Sequence, residues 1–240
     1  MPHNSRIVAD VEITPLCDAV GPMGPSLRLP FLETFLGAQV DEGEWILHFH
    51  SYLLRDAQGR LTLVDTGIGP TSTWAPAPGK LQSELAAVGV APQDVNTVIF
   101  THLHSDHCGG TVIDGEPVFA NARHVVQRAE LAELAELGDL GLDPALLHVV
   151  DGDEEVSPGV VVRLTPGHTP GHQIVEVCSF TMAGDVLHHP VQLADPTIRY
   201  VYDSDPDQAA KARLDLVQRL RAEGRLLGTA HFPEPFQDLA

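Results

Sequence analysis

The apolar positions of this chain fall into short runs broken by Gly, Pro, Asn and Asp, the pattern of strands between turns. "RIVADVEITPL" alternates in part and predicts a strand that ends at Pro15. "ILHFHSYLLRDAQGRLTLVDTG" predicts a β-hairpin, two apolar runs joined at Asp56–Arg60. Between them, residues 18–44 are rich in Gly and Pro but carry Leu27, Leu29, Phe31, Leu32, Phe35 and Leu36. That mixture predicts a long ordered loop with apolar anchors. The period then changes. In "GKLQSELAAVGV", Leu81, Leu85 and Val88 recur at helical spacing and Gly89 ends the helix. "DVNTVIFTH" predicts a buried strand that runs directly into a polar cluster, and "HVVQRAELAELAEL" starts strand-like and turns helical near Arg128. "VVVRLTP" and "HQIVEVCSFTMAGD" predict further strands. Asp205 reads as the N-cap of a late helix with Pro206 at its first position and a buried stripe of Ala210, Leu214 and Val217. "RLLGTAH" is a last short strand ending at His231. A first strand series, intervening helices and a second strand series predict a layered α/β protein with mixed sheets and outer helices.

Length and composition narrow this picture. The 240 residues suffice for one sizeable core and predict a single domain over 1–240, and 43% apolar content excludes disorder. Charge changes it more. Lys and Arg number 14 against 33 Asp and Glu, a formal net charge of −19. Such a surface repels phosphate backbones and anionic bilayers, so neither nucleic acid nor membrane is an expected partner, and a small-molecule substrate is. Cys17, Cys108 and Cys178 are too dispersed for a disulfide framework or a Cys-x-x-Cys metal site. "MPHNSRIVADVEITPL" has no basic segment followed by an apolar core, and no apolar run has the length of a membrane span. The expected location is the cytoplasm.

The candidate chemistry lies in "THLHSDHCGG", Thr101–Gly110. In an extended segment residues two apart share a face, so His102 and His104 can reach one ion. Asp106 and His107 are adjacent, so the chain must turn there for both to reach a second, nearby point, and Gly109 and Gly110 permit tight backbone geometry beside it. Histidines and carboxylates without cysteine suit zinc, with manganese, iron or cobalt as alternatives. Leaving these groups buried without partners is costly, which disfavours a metal-free cluster.

The run His102-Leu-His104-Ser-Asp106-His107 resembles the His-x-His-x-Asp-His signature of the metallo-β-lactamase-fold hydrolases. Later segments match the same family in order: Asp65 in "LVDTG", His168 in "TPGHTPGH", Asp185 in "AGDVL" and His231 in "GTAHFP". The resemblance implies an αββα sandwich, two mixed β-sheets flanked by helices. It also implies two divalent ions, zinc first. One would be held by His102, His104 and His168, the other by Asp106, His107 and His231, with Asp185 bridging. "GDVLHHPVQL" and "AHFPEPF" are most similar to the N-acyl-homoserine lactonase and methyl parathion hydrolase branch. The implied activity is cleavage of a small, fairly apolar lactone or ester, or a phosphotriester, by a metal-bridging hydroxide. Asp106 and Asp185 are both candidates for proton transfer. Two alternatives within the fold are a mononuclear iron persulfide dioxygenase and a thioesterase of the glyoxalase II type. Lactonases of the branch tend to carry Tyr three residues after the bridging aspartate; here that position is His188, a candidate catalytic residue for polarising the substrate oxygen.

Several residues have a functional and a structural reading. Asp65 is expected to support a metal histidine rather than bind metal. Cys108 is expected to be a small buried thiol, His172 a structural hydrogen-bonding group, and His189 to point away from His188. His48 and His50 share a strand face with no third ligand nearby, which favours a structural role. Trp74 is a candidate pocket wall. The Leu27–Leu36 loop can serve as pocket wall, core edge or the contact of a homodimer.

Overall fold

The computed structural model describes residues 4–137 and 140–239, so the ends of the expected 1–240 domain lie outside the described residues. Two mixed sheets, each laid out in chain order, account for most of its strands. The first runs Arg6–Val8, Val11–Pro22, Ile46–Arg55, Leu61–Val64, Thr97–Ile99, Arg123–Gln127 and Leu147–Val150. Its early pairings are antiparallel and its last three parallel. The second runs Glu154–Ser157, Val160–Leu164, Gln173–Val177, Phe180–Met182, Leu226–Gly228 and Phe236–Asp238, with one parallel pairing, between the Phe180 and Leu226 strands.

Both faces of each sheet are covered, which is why Leu61–Val64, Thr97–Ile99 and Gln173–Val177 are buried at every residue. Alternate residues point to opposite faces. Tyr52, Leu54, Val64, Ile99 and Val125 of the first sheet meet Val162, Val175, Val177 and Phe180 of the second. On the outer face of the first sheet, Leu53, Leu63, Val98 and Val126 pack with Leu81 and Leu85 of the helix Leu81–Ala87. On the outer face of the second, Ile174 and Leu227 pack with Leu216, Val217 and Leu220 of the helix Pro206–Glu223. The result is an α/β structure of two mixed sheets with helices outside, as the strand and helix pattern predicts.

Three local expectations are corrected. Pro15 does not end its strand: a turn at Ala9, with φ of 53°, makes a hairpin, and the second strand continues to Pro22. Pro15 pairs with Tyr52 on one side, while the Arg6–Val8 strand on the other side reaches only from Val11 to Ile13. The missing N–H of Pro15 therefore costs no ladder bond. The segment expected as loop over 18–44 starts as the end of that strand and contains a helical turn, Phe31–Thr34. The buried stripe of the late helix is Ala209, Arg213, Leu216, Val217 and Leu220: Val217 is buried as expected, whereas Ala210 and Leu214 are not part of the stripe. Arg213 is wholly buried, and a pattern that counts arginine as polar misplaces the stripe.

Candidate metal centre

Every residue of the predicted ligand set, and the supporting Asp65, follows a strand. Asp65 comes after Leu61–Val64, the histidine cluster after Thr97–Ile99, Asp185 after Phe180–Met182 and His231 after Leu226–Gly228; His168 lies in the turn before Gln173–Val177. These ends converge, and a rigid sheet sets their spacing. The histidine motif is extended up to His104 (φ −66°, ψ 150°) and then enters one helical turn, Ser105–Cys108. That change of conformation aims His102 and His104 at one point and Asp106 and His107 at another. The turn packs against the loop after Val64 so closely that a Cβ on Gly109 would sit 2.6 Å from the Ile68 carbonyl oxygen, and one on Gly110 would sit 2.2 Å from that of Thr66.

The predicted ligands form two groups, each with its ligand atoms within 4.8 Å of one another: His102, His104 and His168, and Asp106, His107, Asp185 and His231; His168 also meets His188 and Asp203 in a third such set, which includes no other predicted ligand. In the first, His102 Nε2 and His168 Nε2 each lie 3.0 Å from His104 Nδ1. Asp185 stands between the groups. Its Oδ2 is 3.8 Å from His102 Nε2 and 3.3 Å from His168 Nε2, whereas its Oδ1 is 3.2 Å from both His107 Nε2 and His231 Nε2. Asp106 Oδ2 lies 3.3 Å from His107 Nε2 and 3.5 Å from His231 Nε2.

The far side of most of these rings is held by an acceptor. His107 Nδ1 donates to Asp65 Oδ2 at 2.8 Å, His168 Nδ1 to Asp203 Oδ1 at 3.1 Å and His231 Nδ1 to the His48 carbonyl at 2.9 Å. An acceptor on Nδ1 fixes the tautomer that leaves Nε2 as a lone pair facing inward, the usual arrangement behind a metal-binding histidine. His107 Nε2 and Asp185 Oδ1 are buried and make no hydrogen bond. Inward lone pairs converging at such distances require a shared proton or a cation, and a His/Asp set suits zinc-like ions. The residues present therefore fit two divalent ions, one in each group.

Burial favours the neutral form of His102 and His168, pushing His102 well below the ordinary histidine value and His168 down to about 3. For His107 and His231 burial acts in the same sense, but Asp185 and Asp106 outweigh it and raise both. Burial opposes the charged form of Asp185 too; His107, His231, His188 and His102 overcome it and hold that carboxyl well below the usual range.

The remaining candidates divide clearly. Asp65 lies outside both groups and braces the site: besides His107 it accepts the Thr101 amide at 2.7 Å and the Thr101 hydroxyl at 2.8 Å. His172 Nε2 accepts the Asp185 amide at 3.0 Å. Cys108 Sγ faces the Leu103 carbonyl, and burial pushes its thiol up to about 12. His48 and His50 stack on each other and belong to neither group. His188 Nε2 is 3.2 Å from Asp185 Oδ2, and its ring stacks on Tyr200 at 3.8 Å between centroids. His189 turns the other way, accepting the Val191 amide and packing on Phe31 and Phe35. Trp74 donates its indole N–H to Ser105 Oγ at 2.9 Å and walls a cavity of about 320 Å³ above the ligand groups. Met23, Leu27, Leu47, Tyr200 and Tyr202 complete that wall.

Sequence reading missed Asp203, Tyr200, Arg213 and Glu130. "RYVYDSDP" carries the first two, and only the alternation of Tyr200, Tyr202 and a following carboxylate signals that the segment is more than a turn. Arg213 donates to Asp203 Oδ2 and to the carbonyls of Val186 and Ile198, so it ties the segment after Asp185 to the Tyr200 segment.

Comparison with known proteins gives a consistent result. Residues 50–231 match the Metallo-beta-lactamase superfamily. An N-acyl homoserine lactonase of Bacillus thuringiensis is 39% identical over 93 residues, 37% of this chain and 35% of the lactonase, so the match spans about a third of that relative's length. The crystal structure of a hydrolase of the beta lactamase superfamily, AbOPH, superposes with a TM-score of 0.82 at 26% identity, covering 99% of this chain and 92% of that one. AidC, a dizinc quorum-quenching lactonase, shares the fold with a TM-score of 0.82 at 20% identity, over 98% of this chain and 92% of its own. With the ligand-type residues at converging strand ends of a two-sheet α/β sandwich, and the match running from His50 to the last of them, His231, this chain belongs to the metallo-beta-lactamase superfamily.

Proposed function

We propose that this protein is a dinuclear metal-dependent hydrolase of a small, fairly apolar lactone or ester. The observation that carries the reading is the placement of Asp185, with one carboxylate oxygen toward each ligand group. His102, His104 and His168 would hold one ion, Asp106, His107 and His231 the other, with Asp185 shared and zinc the first metal to test. When bound, two such ions acidify a water and polarise the oxygen of a carbonyl or phosphoryl group. The chain's own residues do the rest. The wall of Met23, Leu27, Leu47 and Trp74 takes the apolar part of the substrate, and at about 320 Å³ the cavity suits a small molecule. His188 lines the same cavity, and burial keeps its imidazole neutral, pushing it down to about 4. We assign it to donate an N–H to the substrate oxygen. Asp106 and Asp185 are the carboxylates within reach of a proton released beside the histidines.

The named activity of the bacterial lactonase relatives puts acyl homoserine lactones first on a substrate panel, with aryl esters, phosphotriesters, β-lactams and thioesters beside them. Zinc-reconstituted protein is expected to turn over lactones or esters fastest. Full metal occupancy with no lactone or ester turnover would contradict the reading. One iron per chain, with the second group free of metal, would point to the dioxygenase alternative.

A further inference from the structure

Glu130 is a buried carboxylate outside the ligand set, 3% exposed, in the first turn of the helix Arg128–Leu137. Among the described residues no cation pairs with it; three neutral donors fill its oxygens instead. Oε2 accepts the amide of Leu103 at 2.9 Å. Oε1 accepts the amide of Gly171 at 2.8 Å and the hydroxyl of Thr169. Leu103 lies between His102 and His104. Thr169 directly follows His168, and Gly171 directly precedes His172, which accepts the Asp185 amide. One side chain thus ties together the two backbone segments that carry all three nitrogens of the first ligand group. The approach is close: a Cβ on Gly171 would lie 2.6 Å from the Glu130 amide nitrogen and 3.0 Å from its Oε1.

We propose that Glu130 is a positioning residue for the first group, setting the distance between the His102–His104 segment and His168 and thereby the affinity of that group for a divalent ion. A buried carboxylate without a cation is costly, and an apolar side chain would fill the space without that cost. What the carboxylate adds is two fixed acceptors aimed at two loops. Ligand sets work only when held to within about 0.5 Å by residues behind them. The second group has different supports, Asp65 behind His107 and the His48 carbonyl behind His231, and no hydrogen bond of Glu130 goes to either support or directly to Asp106, His107 or His231. Its effect is therefore selective. The inference rests on the two-group reading of the metal centre.

The test measures zinc binding to metal-free protein by chelator competition, in two backgrounds. His231→Ala leaves the first group intact, and His104→Ala leaves the second. Glu130→Gln keeps the shape but turns an NH₂ toward an N–H donor. It is expected to weaken zinc binding about 10–100-fold in the His231→Ala background and to leave it unchanged in the His104→Ala background. Cobalt-substituted protein should show an altered absorption spectrum in the first background only. Should Glu130→Gln not fold, Thr169→Val removes one of the three bonds at constant volume, and a smaller loss is expected with the same selectivity. Unchanged binding in both backgrounds, or equal weakening in both, overturns the proposal. Absence of binding by either unmodified background overturns the two-group reading and the proposal with it.

Discussion

The carboxylate of Asp65 accepts the Nδ1–H of His107 at 2.8 Å while its backbone sits at a φ of 62°, in the left-handed region. The strained backbone lets one aspartate reach both His107 and Thr101 from the end of the Leu61–Val64 strand. Asp65→Asn isolates the charge, because asparagine tolerates this conformation. Zinc affinity of the Asp106/His107/His231 group is expected to fall about 10–100-fold by chelator competition, with the His102/His104/His168 group much less affected. Unchanged affinity in the second group would show that Asp65 serves only the backbone.

His188 and His189 are adjacent and face opposite surroundings, which makes them a matched pair. His188→Ala is expected to lower kcat by about tenfold or more with both ions retained, since a lost donor to a developing oxyanion costs about 10²–10³ in rate at most sites of this kind. His189→Ala removes packing on Phe31 and Phe35 and should change kcat far less. Equal kcat for wild type and His188→Ala on the best substrate would leave His188 as packing against Tyr200.

The Arg213–Asp203 ion pair is fully buried, at 3.2 Å. Burial lowers the pKa of the guanidinium and raises that of the carboxyl, so each depends on the other to remain charged. Arg213→Met strands Asp203 without its cation and is expected to cost about 3–5 kcal/mol in denaturant unfolding. Arg213→Met with Asp203→Asn should recover part of that loss. A single variant as stable as wild type would mean that the three acceptors around Arg213 find other donors.

His124, on the Arg123–Gln127 strand of the first sheet, is buried and stacked on Phe100 at 6.0 Å. Burial pushes it down to about 4. The folded state holds it neutral, whereas the unfolded chain protonates it near its ordinary value of about 6.5. Its contribution to stability is full above about pH 6.5 and is lost as pH falls toward 4, up to about 3 kcal/mol. Urea unfolding of wild type should therefore weaken between pH 7 and pH 5 more steeply than that of His124→Leu. Parallel slopes would contradict this assignment.

How much of this was legible follows from the range of the interactions involved. Residues His102 to His107 form a local pattern, His168 and Asp185 each directly follow a Gly, and His231 lies between Gly228 and Pro233 after an apolar run, so the sequence exposes them. The alternation of apolar runs likewise exposes the layered α/β arrangement. What supports these candidate ligands is not local. Glu130 looks like one of several surface glutamates of an amphipathic helix until Leu103 and Gly171 are placed beside it. Arg213 looks like a solvated helix residue because its counter-ion and both carbonyl partners lie well upstream in the chain. Pro15 reads as a stop because periodicity does not show that its strand has no neighbour on one side at that point.

The central claim is that two ions share Asp185 and act together on one substrate. Titrating metal-free protein with zinc, while following hydrolysis of the best lactone or ester, tests it most directly. The account predicts that activity reaches its maximum near two equivalents per chain, and that Asp185→Asn removes most of it at any zinc level. Activity that saturates at one equivalent, with Asp106, His107 and His231 replaceable without loss, would contradict it.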